Sequence, residues 1–412
     1  MKKTRFIHAA DLHLDSPFQG LSNLPIKLLQ EARESTFEAL QKLVAYAIKY
    51  QVDFVIFAGD LFDGEDRSLK AQSKFKKAME ELQEYGIHCY IIHGNHDHLK
   101  GNWVSISWPD NVFFFKAEVD VYKFRKADLT VHLYGYSYPQ KTVKDNIAVN
   151  YQRIGEADFH IGILHGTADG QEGHDHYAPF SVQQLVEKEF DYWALGHIHK
   201  RQVLHENPFV VYSGNFQGRH KKELGDKGIY FVELDHYHSS TLTFLPTSEL
   251  HWEELTVSIE GIETIDELKN RCELSITEAK KCDRKLFVIL RFVGSGPLHN
   301  YLTEGVAEFI EVLNWGQEEK EQFAYIVDKK LETIGEWDRQ QIKKEQHLLS
   351  DIITACDRLL ADQEPLVDAL AEVFSNQKLK RYLTPFTEEE QKQLLLEAES
   401  YILTEFLKER DE

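Results

Sequence analysis

The sequence predicts an α/β (α+β) protein: a sandwich of sheets flanked by helices, then a small β-α-β unit, then an acidic helical region. Three observations predict it. The first 250 residues alternate short apolar runs with helical patterns, the runs are nearly continuous in apolar residues, and the pattern changes after Pro246. Near-continuous apolar strands are those buried on both faces, and alternating strands and helices place the helices there.

Taken in order, strands are expected at 6–10, 52–58 (VDFVIFA), 88–92 (HCYII), 159–164 (FHIGIL), 192–195 (YWAL) and 209–212 (FVVY). Helices are expected at 26–49, 68–85 and 181–187. Runs at 112–115, 119–124 and 129–135, and again at 228–234 and 241–245, follow one another without helices and predict mixed or antiparallel edges. HWEELTVSI, a helical stretch at 265–280 and KLFVILRFV make the β-α-β unit. The expected domains are therefore 1–250, 251–298 and 299–412, the last helical throughout. Within it Thr384-Pro385 breaks the pattern and Thr387 to Glu390 has the form of a capping box. In the helix that follows, Leu395, Ala398, Ile402 and Phe406 recur at helical spacing.

The length of 412 residues suits two or three domains, and 42% hydrophobic with 28% charged residues excludes collagen-like, disordered and disulfide-scaffold classes. Cys89, Cys272, Cys282 and Cys356 show no CxxC spacing and read as free thiols. No apolar run approaches the roughly 20 residues of a membrane helix. The basic start meets His8 and Asp11 before any apolar stretch of signal-peptide length, so a cytoplasmic location is expected. The net charge of −21 divides into −6 over residues 1–250 and −15 over the remainder. Such a chain gains little from neutralising phosphates, so a nucleic-acid role needs metal ions or a basic partner. Seventeen of the 20 histidines precede residue 251, which locates the chemistry there.

Asp11 and His13, Asp60, Asn95 and His96, His165, and His197 with His199 all lie at or just beyond the carboxyl end of an expected strand, in the contexts ADLHL, FAGDLFD, IIHGNHD, GILHG and LGHIH. Loops at that edge of an α/β sheet converge on one crevice. The i, i+2 pairs Asp11/His13 and His197/His199 would point to one side of extended backbone. Seven donors, Asp11, His13, Asp60, Asn95, His165, His197 and His199, mix oxygen and imidazole without thiolate. This suits Mn²⁺, Fe or Zn²⁺ at a catalytic centre rather than structural zinc. Seven exceed the needs of one ion that keeps a position open, so two divalent ions about 3.5 to 4 Å apart, sharing a carboxylate and a hydroxide, are expected, Mn²⁺ first. One Asp-x-His pair is an ordinary accident; five such elements at successive strand ends are not.

The order D-x-H, GD, GNHD, GILH, GHIH resembles the calcineurin-like metallophosphoesterase superfamily over residues 1 to about 250. Within it ADLHL, GDLFD, YWALGHIHKRQ and YSGNFQGRH resemble the DNA-repair exonuclease branch of SbcD-type nuclease subunits, YSGNFQGRH being most similar to its YhaO-type members. The resemblance implies a β-sandwich flanked by helices with a small capping domain. It also implies that Asp11, His13 and His199 hold one ion and Asn95, His165 and His197 the other, with Asp60 between them. It makes His96 a proton donor to the leaving oxygen, its ring oriented by Asp97, in phosphodiester hydrolysis by a bridging hydroxide. Asp63 stands where archaeal and eukaryotic members tend to carry histidine, and also reads as a turn residue.

Arg219 and His220, in the GNFQGRH loop, are candidates to grip a flanking phosphate. His174 and His176 read as loop residues, and His8 and His93 as core or supporting groups. The implied partners are DNA and a coiled-coil SbcC-like ATPase docking on the C-terminal helices; a homodimer is also open, and no membrane is implied. No Walker motif occurs in this chain. Besides a DNA nuclease, a phosphoesterase acting on small nucleotides or other phosphoesters and a mainly structural repair subunit remain as readings.

Overall fold

The structure, a computed structural model, describes residues 2–16, 18, 21, 24–64, 68–101, 104–170, 177–235, 240–280, 284–335, 339–344, 348–362, 364–375 and 386–408. His174, His176, Cys282 and Thr384-Pro385 lie outside the described residues. Two compact units make up the chain: Met1–Glu253 with Lys280–Phe287 and Gly316–Val327, and Glu254–Ala279 with Val288–Trp315 and Asp328–Glu412.

In the first unit the elements are β1 (Lys3–Ala9), α1 (Ile26–Lys49), β2 (Phe54–Ala58), α2 (Leu69–Glu84), β3 (His88–Ile92), β4 (Val112–Phe114), β5 (Asp120–Lys126) and β6 (Leu129–Gly135). There follow β7 (Phe159–His165), α3 (Val182–Val186), β8 (Tyr192–Gly196), β9 (Gln202–Glu206), β10 (Phe209–Tyr212), β11 (Gly228–Asp235) and β12 (Thr241–Pro246). They form two six-stranded sheets, ordered β12-β11-β1-β2-β3-β4 and β5-β6-β7-β8-β10-β9. β1 to β4 run parallel, as do β6, β7, β8 and β10, and antiparallel strands close the edges.

The strand sequences explain the layering. In β2 (FVIFA) every side chain is buried. Phe54, Ile56 and Ala58 face Ile161, Ile163, Tyr192 and Ala194 of the other sheet, while Val55 and Phe57 meet Leu40, Leu43, Phe75 and Met79 of α1 and α2. The outer face of the second sheet is covered by Tyr151, Phe180, Leu185 and Phe190 around Trp193. Helix α2 starts at Ser68, whose Oγ accepts from Ala71 N at 2.9 Å. The exposed edge strand β9 lacks an apolar run and was not anticipated from the sequence.

The remaining elements are β13 (Leu250–Ser258), α4 (Ile265–Ala279), β14 (Lys285–Ser295), α5 (His299–Asn314), β15 (Ala324–Ile334), α6 (Arg339–Lys344), α7 (Leu348–Ala361), α8 (Glu364–Ser375) and α9 (Glu388–Lys408). β13, β14 and β15 form a three-stranded sheet in that order. Strand β15 corrects the expectation that residues beyond 299 are entirely helical. Its apolar run, AYIV, is only four residues long before DKK, and most of the strand's second half is exposed, so the pattern of a buried strand is missing. In the second unit Phe309 of α5 packs on Phe292 of β14. Leu403 of α9 is buried with Leu349 and Ile353 of α7. Arg339 of α6 forms a two-pronged ion pair with Glu399 of α9, at 2.6 and 2.9 Å. The capping box is formed: Glu390 N donates to Thr387 Oγ1 (3.3 Å) and Thr387 N to Glu390 Oε2 (2.7 Å).

A buried polar tie from His8 joins the large sheets across the apolar layer. The ring of His8 on β1 lies between Tyr192 Oη (3.0 Å, Nδ1) and Leu195 O (3.2 Å, Nε2) of β8. Burial lowers its pKa from 6.5 to about 3, the Leu195 carbonyl opposing. The unfolded chain therefore binds this proton near pH 6.5 and the folded chain does not until about pH 3. The stability contributed by neutral His8 is complete above pH 6.5 and is lost as pH falls toward 3. Unfolding free energy, measured by urea denaturation between pH 7 and 5, is expected to fall with a His8 contribution approaching about 1.4 kcal/mol per pH unit. His8→Gln should be less stable at pH 7 yet shallower in this slope; an unchanged slope would contradict the assignment.

Candidate metal centre

The first unit brings the ends of five parallel strands together. Asp11 lies two residues beyond β1, Asp60 two beyond β2, and Asn95 and His96 beyond β3; His165 ends β7, and His197 follows β8. The loops after β1 and β2 pair as a ladder: Asp11 N donates to Gly59 O (3.1 Å), His13 N to Asp60 O (3.0 Å) and Leu14 N to Leu61 O (2.9 Å). Asp11, His13, Asp60 and His197 have φ of 52°, 43°, 52° and 97°. The pairs Asp11/His13 and His197/His199 therefore do not share a side through extended backbone, as the spacing suggested; left-handed turns aim them. Non-glycine residues in this region cost free energy and persist where the surroundings fix them. Three glycines make room, and a Cβ on Gly59 would sit 2.5 Å from His165 Nδ1. A Cβ on Gly94 would sit 2.3 Å from Asp60 Oδ1 and 2.7 Å from His165 Nε2, and one on Gly196 would sit 2.0 Å from Ala58 O.

All seven expected donors converge. His13 Nε2 faces His199 Nε2 at 3.2 Å. Asn95 Oδ1 lies 3.0 Å from His165 Nε2 and 3.2 Å from His197 Nδ1. Asp60 Oδ2 is 3.8 Å from His13 Nε2 and 3.4 Å from His165 Nε2, so one carboxylate oxygen reaches both groups. Asp11 accepts from His197 N at 3.0 Å (Oδ1) and 3.1 Å (Oδ2). Among the described residues, Asp11, His13 and His199 form a set whose ligand atoms lie within 4.8 Å of one another, as do Asp11, Asp60 and His165, and His13, Asp63 and His96.

Tautomers test whether cations fit. His165 Nδ1 donates to Ala58 O (2.9 Å), so the neutral ring aims a bare Nε2 at the oxygens of Asn95 and Asp60. His199 Nδ1 donates to Glu223 Oε1 (2.6 Å), leaving its Nε2 bare before His13 Nε2. The first arrangement sets a lone pair against oxygens and requires a proton or a cation between them, whereas in the second a neutral His13 can donate from Nε2 to His199 Nε2. In the protein alone a proton fills that role at His165: burial opposes it, but Asp60 and Asp11 raise the imidazole to about 9. Burial and Arg219 hold His13 down at about 3, so it resists an extra proton. Burial, with the charge of Asp60, pushes Asp11 up to about 6 against His165 and His199. Carboxylates crowded with neutral imidazoles in a buried pocket suit divalent cations.

Beside this cluster the His96 ring, 40% exposed, lies with Nδ1 2.9 Å from Asp63 Oδ1. Burial lowers its pKa, but Asp63 and Asp60 outweigh that and raise it. Asp63, which also reads as a turn residue in the sequence, thus takes the place at His96 expected of Asp97. The buried Asp97 instead accepts from Gly94 N (2.6 Å) and Leu61 N (3.0 Å), fixing the backbone of the GNHD turn, with His93 Nδ1 3.4 Å away. Asp63 Oδ2 receives Ser16 Oγ (2.6 Å) and Arg219 Nη1 (3.2 Å), and Arg219 also donates to Ser16 Oγ (2.6 Å). Arg219, only 13% exposed, is thereby drawn to the cluster. His220 is not: its Nδ1 accepts from Lys222 N (3.2 Å) in the next turn. Glu223 escaped the sequence reading. It is the only acidic residue between Glu206 and Asp226, and that isolation is the one signal the sequence offers.

Residues 4–201 match the family model described as calcineurin-like phosphoesterase, and residues 252–333 that of the metallophosphoesterase YhaO middle domain. Metallophosphoesterase YhaO of Bacillus subtilis (strain 168), described as uncharacterized, is 39% identical over 414 residues, covering 97% of this chain and 98% of that protein. DNA double-strand break repair protein Mre11 of Sulfurisphaera tokodaii is 28% identical over 215 residues, 49% of this chain and 51% of that one. A subunit of the nuclease SbcCD of Staphylococcus epidermidis is 26% identical over 288 residues, 62% and 72% of the two chains. Likeness to YhaO running almost end to end, over a first unit that gathers these donors, makes this chain a member of the calcineurin-like metallophosphoesterases.

Proposed function

We propose that the chain is a dinuclear metal-dependent phosphodiesterase that cuts DNA in repair. The observation that carries this reading is the convergence of seven oxygen and imidazole donors beside a half-exposed histidine and a nearly buried arginine. The names of the Mre11 and SbcCD relatives support DNA as the substrate. In this reading Asp11, His13 and His199 hold one divalent cation and Asn95, His165 and His197 the other, with Asp60 reaching both. When bound, the pair, with Mn²⁺ first among candidates, supplies Lewis-acid polarisation of the phosphoryl group and a water acidic enough to attack.

The chain's own residues do the rest. His96, held through Nδ1 by Asp63, keeps its other nitrogen for the departing oxygen and delivers a proton there. Asp97 keeps the GNHD turn in place so that His96 N can donate to Asp60 Oδ1 (2.9 Å), tying proton donor to carboxylate. Arg219, set by Ser16 and Asp63, meets the non-bridging oxygens of a phosphate. A companion ATPase in the cytoplasm is part of the proposal, supported by the SbcCD relatives being named as subunits of a nuclease. The exposed Leu396, Tyr401 and Phe406 of α9 are its candidate contacts, while Leu395 and Leu403 are already buried. Among the described residues no helix is long and apolar enough to cross a membrane.

The test is cleavage with Mn²⁺ of single- and double-stranded DNA beside nucleotides and phosphomonoesters. DNA scission well above turnover of the small substrates is expected; the reverse ranking would replace DNA with a small phosphoester, and no turnover at all would leave a structural subunit. His96→Ala should retain two ions per chain and lose about 10²- to 10⁴-fold in kcat on bis-p-nitrophenyl phosphate. Full activity in that variant would remove His96 from the mechanism. Asp60→Ala should lose both ions by elemental analysis, whereas two retained ions would refute its bridging place.

A further inference from the structure

We propose that Glu223 is a positioning residue that fixes the tautomer of His199 and, through the same carboxylate, anchors the loop carrying Arg219; the inference rests on the cation-binding reading above. One oxygen of Glu223 receives His199 Nδ1 at 2.6 Å. The other receives Arg219 N at 2.7 Å and Asn215 Nδ2 at 3.0 Å. That second oxygen accepts from donors that cannot reverse, since a backbone N–H and an amide NH₂ have no lone pair to offer in exchange, while the first meets only His199. An ionised carboxylate so held has no proton to offer, so His199 Nδ1 donates to it. Its Nε2 is left as the free nitrogen, facing His13 Nε2.

The other three ligand histidines are placed differently, His197 with its Nδ1 3.2 Å from the amide oxygen of Asn95. His13 has only Asp63 Oδ1, at 3.4 Å from Nδ1, and that nitrogen makes no hydrogen bond. His165 is set by a main-chain carbonyl, which side-chain chemistry cannot alter. Glu223 is moreover held in place by its own backbone, its N donating to His220 O (2.8 Å), while Asn215 N donates to His199 O (3.3 Å). A ring of contacts results: His199 to Glu223, Glu223 to Arg219, Arg219 to Asp63, and Asp63 beside His13. Groups that orient a ligating imidazole characteristically set metal affinity by about 10- to 100-fold. Here the orienting group also determines where the arginine backbone lies.

Glu223→Gln separates this role from simple packing. The amide is the same size and its oxygen can still receive Arg219 N, but its NH₂ would face His199 Nδ1 as a donor. His199 must then place its proton on Nε2 and withdraw the free nitrogen. Two measurements read this directly. Nitrogen chemical shifts of ¹⁵N-histidine-labelled, cation-free protein should report the Nδ1–H tautomer of His199 in the natural protein and the Nε2–H tautomer in E223Q. Calorimetric titration with Mn²⁺ alone should find two ions on the natural protein and, in E223Q, one of the two weakened at least about 10-fold. A natural protein whose His199 carries Nε2–H overturns the proposal even if the variant does not fold. Two ions bound by E223Q at undiminished affinity overturn it as well. If the natural protein binds no Mn²⁺, the cation reading falls, and this inference with it; if it binds two and E223Q is unaltered, only this inference falls.

Discussion

The centre is governed by one constraint: electron-rich atoms are held closer together than they would remain by themselves. Bare imidazole nitrogens of His165 and His199 face oxygens or another ring nitrogen at 3.0 to 3.4 Å, in a pocket where Asp11, Asp60 and His165 are removed from water. Water cannot screen them, so the surrounding fold must hold them apart from any relaxed arrangement until positive charge arrives. Asp60 and Asp11 accordingly raise His165 to about 9 against burial, while burial and Arg219 hold His13 down at about 3. The same preference, divided unequally over the pocket, is what a pair of cations would satisfy.

The sandwich supplies the resistance. Strands β1 to β3 in one sheet and β7, β8 and β10 in the other are locked by an apolar layer containing Phe6, Phe54, Ile56, Ile161, Ile163 and Tyr192. Their ends have little freedom to spread. The loops beyond them are knitted by backbone ladders, as between residues 11–14 and 59–61, and by buried carboxylates that bind main-chain donors, as Asp97 does. The left-handed residues Asp11, His13 and Asp60 are tolerated because rigid strands precede each of them.

Much of this was legible in the sequence. The β strands preceding the five motifs lie within three residues of their expected bounds, because buried strands announce themselves by continuous apolar runs, and the donors follow at once. What was hidden is what depends on meetings across the chain. Asp63 reaches His96 from 33 positions away, and Glu223 reaches His199 from 24, with no periodicity to mark either. Asp97 sits next to His96 in sequence, yet the tight turn directs it into the loop, so adjacency misled. The i, i+2 spacing gave a correct grouping for an incorrect reason, since left-handed dihedrals do what extended backbone was expected to do. β9 and β15 were missed because an edge strand that buries little need not look apolar.

Gly94 and Gly196 bring no side chain to the centre, yet each projects its bare Cα toward the opposite sheet: Gly94 toward His165 at the end of β7, Gly196 toward the Ala58 carbonyl at the end of β2. A methyl group at either would collide with an atom that the centre cannot move without losing its geometry. The gap between the two layers at their working end is therefore gauged by hydrogen atoms contributed from both sides, Gly59 adding its own against His165. Any lineage that kept the cage while letting these two positions vary would have to rebuild the seam between the layers around it.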